Sequence, residues 1–259
     1  MSKLSVYRMR PEHELYVATD YRILYQDPSF LVVDKPAPLP VHPVGRFREK
    51  NLLSLLKKNI ASGGDDLRIV NRLDSETSGL VLVGRSAGVT GKLGSLFEKR
   101  LVLKEYLAIV LGSPAVDRGT IEVPLGLKGG GVHNIRCFDA NGQAAKTDYE
   151  VLRRMSGYSL LKVIPRTGRT HQIRVHLSLL GHPVAGDKIY IDPSVFERYI
   201  DQGWQEDMRP IVKSERLLLH ASRLEFRHPE SNEVMTFGSD LPACFHSFLN
   251  PGVDLDEIV

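Results

Sequence analysis

The short polar segment RLDSET (72–77) carries three charged side chains, Arg72, Asp74 and Glu76, between two apolar runs. The runs at 67–71 and 79–84 are rich in aliphatic and β-branched residues, which predicts two strands that hold the segment rigidly. An aspartate in a partly dry loop can act as a nucleophile or a base. A structural ion pair or an Asx turn would use the same residues, so the segment alone leaves both interpretations open.

Asp74 and Glu76 together could suggest a glycosidase, which cleaves a sugar with two carboxyl groups. Those groups lie roughly 5–9.5 Å apart on either side of the sugar. Because Asp74 and Glu76 are two residues apart on one loop, we do not expect them to flank a sugar in this way.

A second polar cluster, TGRTHQIR (167–174), lies at the predicted start of a helix. Thr170 is the expected N-cap, and an apolar stripe follows at Ile173, Leu177 and Leu180. A helix N-terminus has free N–H groups and a partial positive charge, both of which favour anions. The candidate anion-binding side chains are Arg169, His171 and Gln172.

Arg174 lies one turn inside this helix, beside the apolar stripe. A buried arginine needs an anionic partner, and Asp74 is the natural candidate. Such a pair would keep the aspartate ionised, lowering its pKa by about 1–3 units. A purely structural pair between the two residues remains an alternative at this point.

Three further patterns are weaker indications of a functional site. GRSAGVTGKL (84–93) has the wrong spacing for a phosphate loop, and Leu93 stands where Ser or Thr is required. His171 and His176 are five residues apart, whereas paired histidine ligands on a helix are usually four apart. Tyr106 begins the strand-like run EYLAIV (105–110), where its ring could stack on an extruded base or pack in the core. We therefore expect neither a nucleotide-binding loop nor a metal site.

The hydrophobic periodicity predicts an α+β fold with mostly antiparallel strand pairing rather than a regular βαβ alternation. Two strands are expected within 22–34, others at 103–112, 216–229 and 233–239, an antiparallel pair in YEVLRRM and YSLLKVIP, and hairpins within 113–150. Helices are expected at 51–60, at 88–102, from Thr170 to Leu180, and at 193–204.

The chain has 259 residues, 42% of them hydrophobic, which is enough for a sizeable core. We expect an N-terminal arm (1–20), a catalytic domain (21–250) and an acidic tail (251–259). No run reaches the roughly 18 apolar residues of a membrane span, and the first residues lack a secretory segment. Only Cys137 and Cys244 are present, without a CxxC motif. These features predict a cytoplasmic protein, and we expect it to be a monomer.

The charge is unevenly distributed. Residues 99–188 contain 14 Lys and Arg against 7 Asp and Glu, although the formal net charge of the whole chain is only +3. A basic middle in a nearly neutral chain favours one face that binds a polyanion, with RNA as the expected partner. Chance clustering on a solvated surface is the alternative.

Five stretches in this order resemble the RluA family of pseudouridine synthases. They are DKPAPLPVHP, NRLDSETSGLVLV, KEYLAIV, TGRTHQIRVHLSLLGHPVAGD and LLLHASRLEF, spread over about residues 22–240. The resemblance implies isomerisation of a uridine in structured tRNA or rRNA to pseudouridine, without cofactor or metal. It also implies the pseudouridine synthase fold, a mixed, mainly antiparallel sheet with surrounding helices and a central RNA-binding cleft.

The resemblance implies a role for each matching residue. Asp74 would be the catalytic aspartate, and Arg174 would pair with it. Tyr106 would stack on the target base and help to remove the proton from C5. Arg72 would assist in flipping the nucleotide, and Leu219 would line the pocket. Whether the aspartate attacks the base or the sugar, or supports a glycal path, is left open.

Two features depart from the family pattern or narrow it. Many members read HRLD where this chain reads NRLD, with Asn71, which affects the expected RNA contact beside the loop. An S4-type RNA-binding domain is not evident, so target choice is expected to rest on the catalytic domain. The alternatives to a synthase are a non-catalytic RNA-binding or ribosome-assembly factor and a hydrolase of small nucleosides or glycosides.

Overall fold

The structure, a computed structural model, describes residues 16–45, 47–60, 66–128 and 135–249. Its centre is a mixed, mainly antiparallel sheet with the order β1-β2-β4-β11-β5-β10-β9-β6; β3 joins β4, β12 joins β11, and β7 pairs with β8 separately. The strands are β1 (Arg22–Gln26), β2 (Phe30–Lys35), β3 (Arg68–Ile69), β4 (Ser78–Gly84), β5 (Leu103–Leu111), β6 (Arg118–Glu122), β7 (Leu125–Leu127), β8 (Arg136–Phe138), β9 (Lys146–Met155), β10 (Tyr158–Pro165), β11 (Leu219–Arg227) and β12 (Val234–Gly238). The predicted α+β class and antiparallel character are thereby confirmed.

Helices surround this sheet. In the described residues they are α1 (Leu52–Asn59), α2 (Ala87–Glu98), α3 (Gln172–Leu179), α4 (Pro193–Gln202), α5 (Arg209–Val212) and α6 (Ala243–His246), and a 3₁₀ turn spans Glu206–Met208. Helix α3 packs against β8, β9 and β10. Its apolar residues Ile173 and Leu177 join a buried cluster with Leu161 and Leu219 from the sheet. This burial fixes the helix start over the centre of the sheet.

The centre of the sheet brings distant segments together. Strand β11 lies between β4 and β5, and it runs parallel to β4 with Ala221 opposite Gly79. Gly79 has φ +106°, and a Cβ there would overlap the backbone of Ala221. Only glycine therefore allows this close approach. The contact places the loop before β4 beside the first residues of β11.

The predicted element boundaries need four corrections. Helix α2 ends at Glu98 rather than 102, since Arg100 takes a left-handed φ of 59°. The strand expected at 67–71 is reduced to Arg68–Ile69. Asn71 continues that pairing with its side chain, because its amide accepts from the Leu82 N–H and donates to the Leu80 carbonyl.

The other two corrections concern α3 and the final strands. His171, with φ 55°, is the N-cap of α3 in place of Thr170, and it makes no side-chain capping bond. The last two strands are shorter than expected, at Leu219–Arg227 and Val234–Gly238.

Parts of three predictions lie outside the described residues. They are most of the N-terminal arm (1–15), the acidic tail (251–259) and the tip of the hairpin between β7 and β8 (129–134). The proposed domain limits at 20 and 250 therefore stay predictions.

Candidate active site

Arg174 holds two carboxylates at the centre of the site. Its Nε and Nη2 donate to the two oxygens of Asp187 at 2.7 and 2.9 Å, and its Nη1 donates to Asp74 Oδ2 at 3.0 Å. The predicted Arg174–Asp74 pair is thus present, although the residues are 100 positions apart. The bidentate bond to Asp187 orients the guanidinium, which leaves one N–H edge for Asp74.

Asp187 is itself fixed by the turn that follows α3. Its Oδ1 accepts from the backbone N–H groups of Ile189 and Tyr190, each at 3.0 Å, and its side chain is fully buried. Its two oxygens therefore accept four hydrogen bonds, two from Arg174 and two from the backbone. Arg174 and Asp187 are buried, and the partly exposed Asp74 completes a triad with them.

The Asp74 side chain is partly buried but remains accessible from solvent. Its side chain is 28% exposed, and within the described part of the chain its Oδ1 accepts no hydrogen bond. Burial alone would raise the pKa of this carboxyl group, but nearby His171, Arg174 and Lys35 outweigh burial and hold the pKa below its usual value. The group is therefore an ionised carboxylate with one oxygen open to a substrate.

Tyr106 lies near this carboxylate on β5, and Leu219 lies on the adjacent strand β11. In the pairing of β5 with β11, Tyr106 faces Ala221 and Leu219 faces Ala108. Burial, and then the charge of Asp74, raise the pKa of the Tyr106 phenol. Tyr106 is consequently a neutral phenol next to a carboxylate, and Leu219, 3% exposed, contributes apolar surface.

The loop that carries Asp74 is clamped from behind by Lys35. The Nζ of this fully buried lysine donates to the carbonyls of Pro36, Leu39 and Ser75 at 2.8–3.1 Å. Burial lowers the pKa of Lys35 to about 7. The bond to Ser75 fixes the peptide directly after Asp74.

Glu76 points away from Asp74 and binds Lys188. The Nζ of Lys188 lies 3.0 and 3.1 Å from the two Glu76 oxygens and also donates to the Glu215 carbonyl. Since Glu76 is occupied in this pair, the two carboxylates of the loop do not form a glycosidase pair, as expected from their spacing.

The polar residues at the start of α3 differ in their roles. Gln172, 4% exposed, accepts from the Thr167 hydroxyl and the Arg169 N–H, and it donates to the Lys146 carbonyl and the Thr147 hydroxyl. A contact of Gln172 with RNA, which stays a prediction, would have to displace one of these bonds. Arg169 Nε donates to the Ala144 carbonyl at 3.2 Å and is only half-buried.

His171 also lies close to the Asp74 carboxylate. Its Nε2 lies 3.8 Å from Asp74 Oδ2, and its Nδ1 lies 2.9 Å from the Tyr190 hydroxyl. Burial lowers the pKa of His171, although Asp74 opposes this effect. The imidazole is therefore mainly neutral near pH 7.

Arg72 is exposed on the rim of the same loop, close enough to His42 for its charge to lower the pKa of that residue, in addition to the larger effect of burial. The neighbouring Asn71 is 8% exposed, and its amide is used by the backbone of β4. The asparagine that departs from the family pattern therefore supports the loop from the inside.

His176, the other histidine of α3, is a structural residue. It is fully buried, its Nε2 donates to the Val123 carbonyl, and its Nδ1 accepts from the Thr147 hydroxyl.

In the part of the chain that the structure describes, no group of three or more His, Cys, Asp or Glu side chains is arranged to hold a metal. No helix among the described residues is long and apolar enough to cross a membrane.

Sequence reasoning found the Asp74–Arg174 pair but missed Asp187, Tyr190 and Lys35. The stretch GHPVAGD contained a signal for Asp187, because it puts a carboxylate shortly after the helix that carries Arg174. No comparable pattern pointed to Lys35, which reaches the site only through the pairing of β2 with β4.

Comparison with known proteins supports the resemblance seen in the motifs. The family model for RNA pseudouridylate synthase matches residues 29–179. The chain is 36% identical over 232 residues to ribosomal large subunit pseudouridine synthase D of Nitrosomonas europaea, covering 87% of this chain and 63% of that protein. It is 35% identical over 194 residues to the mitochondrial tRNA pseudouridine(32) synthase of Saccharomyces cerevisiae, covering 74% of this chain and 41% of that protein. This chain thus spans less than two thirds of the length of these two relatives.

Solved structures agree with the sequence relatives. The human RNA pseudouridylate synthase domain-containing protein 4 superimposes with a TM-score of 0.69 at 28% identity, covering 88% of this chain and 91% of that one. Fold and site together define a mixed-sheet domain that presents one ionised, partly buried aspartate. The chain belongs to the RNA pseudouridylate synthase family, and its relatives place it with the RluA group.

Proposed function

We propose that this protein isomerises a uridine in structured ribosomal or transfer RNA to pseudouridine, with Asp74 as the catalytic group. The observation that carries the proposal is the triad in which Arg174, oriented by Asp187, holds Asp74 ionised while no described residue donates to Asp74 Oδ1.

The reaction needs no second substrate. The N1–C1′ bond of the uridine breaks, the base turns, and a C5–C1′ bond forms; the proton on C5 leaves and N1 gains a proton. An ionised carboxylate can serve this sequence by attacking the nucleotide or by supporting a glycal path. Since no outside reactant enters, positioning and charge stabilisation must supply the rate.

The remaining side chains suit a flipped nucleotide. Extrusion of a base costs a few kcal/mol, which stacking in a pocket offsets. The Tyr106 ring provides the stacking surface and Leu219 the apolar wall, while Arg72 on the rim is placed to contact the RNA from which the base has left. Because burial and Asp74 raise the pKa of its phenol, Tyr106 gives up its proton less readily than an ordinary tyrosine and is less available as a phenolate base for the C5 proton.

The cations near the site support RNA as the substrate. Lys104, Arg136 and Arg169 form no ion pair with a carboxylate of the described residues, and all three lie by the 167–171 loop or His171. Unpaired cations beside a cleft favour phosphate contacts. The relatives named above are a ribosomal RNA enzyme and a transfer RNA enzyme, so both substrate classes are tested first. We retain a cytoplasmic, monomeric protein without cofactor as a prediction.

The proposal is tested by mapping pseudouridines with carbodiimide labelling and primer extension. Total ribosomal and transfer RNA from cells lacking this gene is incubated with wild type, with Asp74→Asn, or without protein. The proposal predicts a new stop with wild type only. If folded wild type binds RNA yet gives no new stop on any RNA, the non-catalytic RNA-binding alternative is favoured instead.

A further inference from the structure

Tyr190 contacts Asp187, Arg174 and His171, yet the proposed reaction assigns it no part. Its N–H donates to Asp187 Oδ1 at 3.0 Å, and the Arg174 guanidinium lies 5.2 Å from the centre of its ring. The ring meets the His171 imidazole edge-on, with centroids 5.8 Å apart and an interplanar angle of 87°. The tyrosine is therefore positioned to influence both Arg174 and His171.

The Tyr190 hydroxyl has two partners whose roles can be deduced. The backbone N–H of Arg136 lies 3.1 Å from the hydroxyl oxygen, and an amide N–H can only donate. The second partner is His171 Nδ1 at 2.9 Å. No other described residue hydrogen-bonds to this oxygen, so the single hydroxyl proton is available for the imidazole.

Proton counting then selects one form of the neutral imidazole. If Nδ1 carried the proton, it would donate to the hydroxyl, and the tyrosine proton would have no described acceptor. If Nε2 carries the proton, the hydroxyl donates to Nδ1 and each proton has a partner or points into the cleft. The second arrangement turns an Nε2–H toward Asp74 Oδ2, 3.8 Å away.

We propose that Tyr190 is a positioning residue that holds neutral His171 in the tautomer with its proton on Nε2. His171 then offers the cleft a second N–H besides that of Arg174, without a second full positive charge. A neutral donor leaves Asp74 more nucleophilic than a histidinium would, because a nearby cation stabilises the ionised carboxylate further. This inference rests on the proposed function for its catalytic consequence, but the tautomer itself is independent of it.

The tautomer is read directly by long-range ¹⁵N–¹H correlation of the imidazole nitrogens in the free protein at pH 7. His171→Asn assigns the His171 signals among the nine histidines, and asparagine tolerates the left-handed backbone at this position. We expect the Nε2–H pattern in wild type and a gain of the Nδ1–H form in Tyr190→Phe. An Nδ1–H pattern in wild type, or an unchanged spectrum in Tyr190→Phe, would overturn the inference.

Tyr25→Phe is the matched control for loss of a bonded tyrosine hydroxyl. The Tyr25 hydroxyl donates to Asp27 at 3.0 Å, and its ring packs on Phe30 and Phe237, away from Asp74. This variant should keep the wild-type His171 spectrum and the wild-type rate.

Single-turnover kinetics on a modified RNA test the catalytic consequence. We expect Tyr190→Phe to lower the rate about tenfold, a modest share of a general acid–base effect, with RNA affinity unchanged. In the His171→Asn background the same change should have no further effect, because the tyrosine acts through the histidine. If the two substitutions lower the rate independently, so that their effects multiply in the double variant, Tyr190 does not act through His171. If wild type itself is inactive, the proposed function fails while the spectrum still decides the tautomer.

Discussion

At the residue scale, the site depends on how one guanidinium divides its N–H groups. Arg174 uses Nε and Nη2 for Asp187 and only Nη1 for Asp74. The bidentate bond to Asp187 fixes the orientation of the planar guanidinium, and this orientation points Nη1 at Asp74. Lysine has the same charge but a single nitrogen that cannot maintain this geometry.

Arg174→Lys should therefore impair catalysis more than folding. We expect the single-turnover rate to fall by about 10²-fold or more, in the range found for loss of a preorganised charge contact, with a small change in melting temperature. The control is Arg198→Lys, since Arg198 contacts both oxygens of the exposed Asp207 far from any described site residue. A rate loss no larger than that of Arg198→Lys would show that the pair is structural.

The sequence predicted part of this network. Arg174 was identifiable because an arginine beside an apolar stripe demands an anion, and Asp74 because strand-like runs flank it. Asp187 had only the signal of a carboxylate soon after the helix and Tyr190 had none, since their contacts with the site depend on the turn after α3. The geometry of that turn does not follow from residue types alone.

At the element scale, the site exists because β11 inserts between β4 and β5. The parallel contact of β11 with β4 requires the backbone of Ala221 to approach Gly79 without a side chain between them. Strand propensity predicted each of these strands, but not their order, because pairing between segments over 100 residues apart has no local signal.

Gly79→Ala should disrupt this contact. We expect it to lower the free energy of unfolding by more than about 3 kcal/mol, since positive-φ strain and overlap with backbone add to each other. Urea or thermal unfolding measures the change. Gly91→Ala is the control, because Gly91 lies inside α2 with open space around its Cα; there alanine should stabilise by about 0.5–1 kcal/mol. Equal stability of the two variants would contradict the packing argument.

The clamp formed by Lys35 at the end of β2 predicts a pH dependence of stability. Burial lowers the pKa of Lys35 from 10.5 to about 7, so between these values the unfolded chain binds more protons at this group than the folded one. The free energy of unfolding should then rise with pH in this window, by at most about 1.4 kcal/mol per pH unit.

The contribution of Lys35 is isolated by comparison with Lys35→Met, measured by urea unfolding at several pH values. The wild-type minus variant difference should increase from pH 7 toward pH 10. A difference that stays flat would mean that the three carbonyls keep the amine charged across the whole range.

At the scale of the whole molecule, two groups of cations in the basic middle of the chain differ in their partners. On the β6–β9–β10 side of the sheet, Arg118, Lys146, Arg154, Lys162 and Arg166 pair with carboxylates. Near the site, Lys104, Arg136 and Arg169 have no such partner among the described residues. The predicted polyanion-binding face is thus narrower than the charge count suggested, because a count ignores which cations the fold neutralises.

RNA binding should reflect this division in its dependence on salt. We expect Arg169→Ala to weaken binding and to reduce the slope of log K against log salt by about one, as for one lost phosphate contact. Arg118→Ala, which breaks an exposed pair with Glu150, should leave the slope unchanged. Filter binding or fluorescence anisotropy at several salt concentrations measures both. Identical slopes for the two variants would place the RNA elsewhere.

The central claim is that the Asp74 carboxylate isomerises a uridine in RNA, and release of tritium from C5 tests it most directly. A target RNA labelled at C5 of uridine loses its tritium when C5 bonds to C1′, while the RNA keeps its length and releases no free base. We predict stoichiometric release by wild type, and Asp74→Asn that binds the RNA with similar affinity but releases none. Release at the wild-type rate by Asp74→Asn would contradict the account.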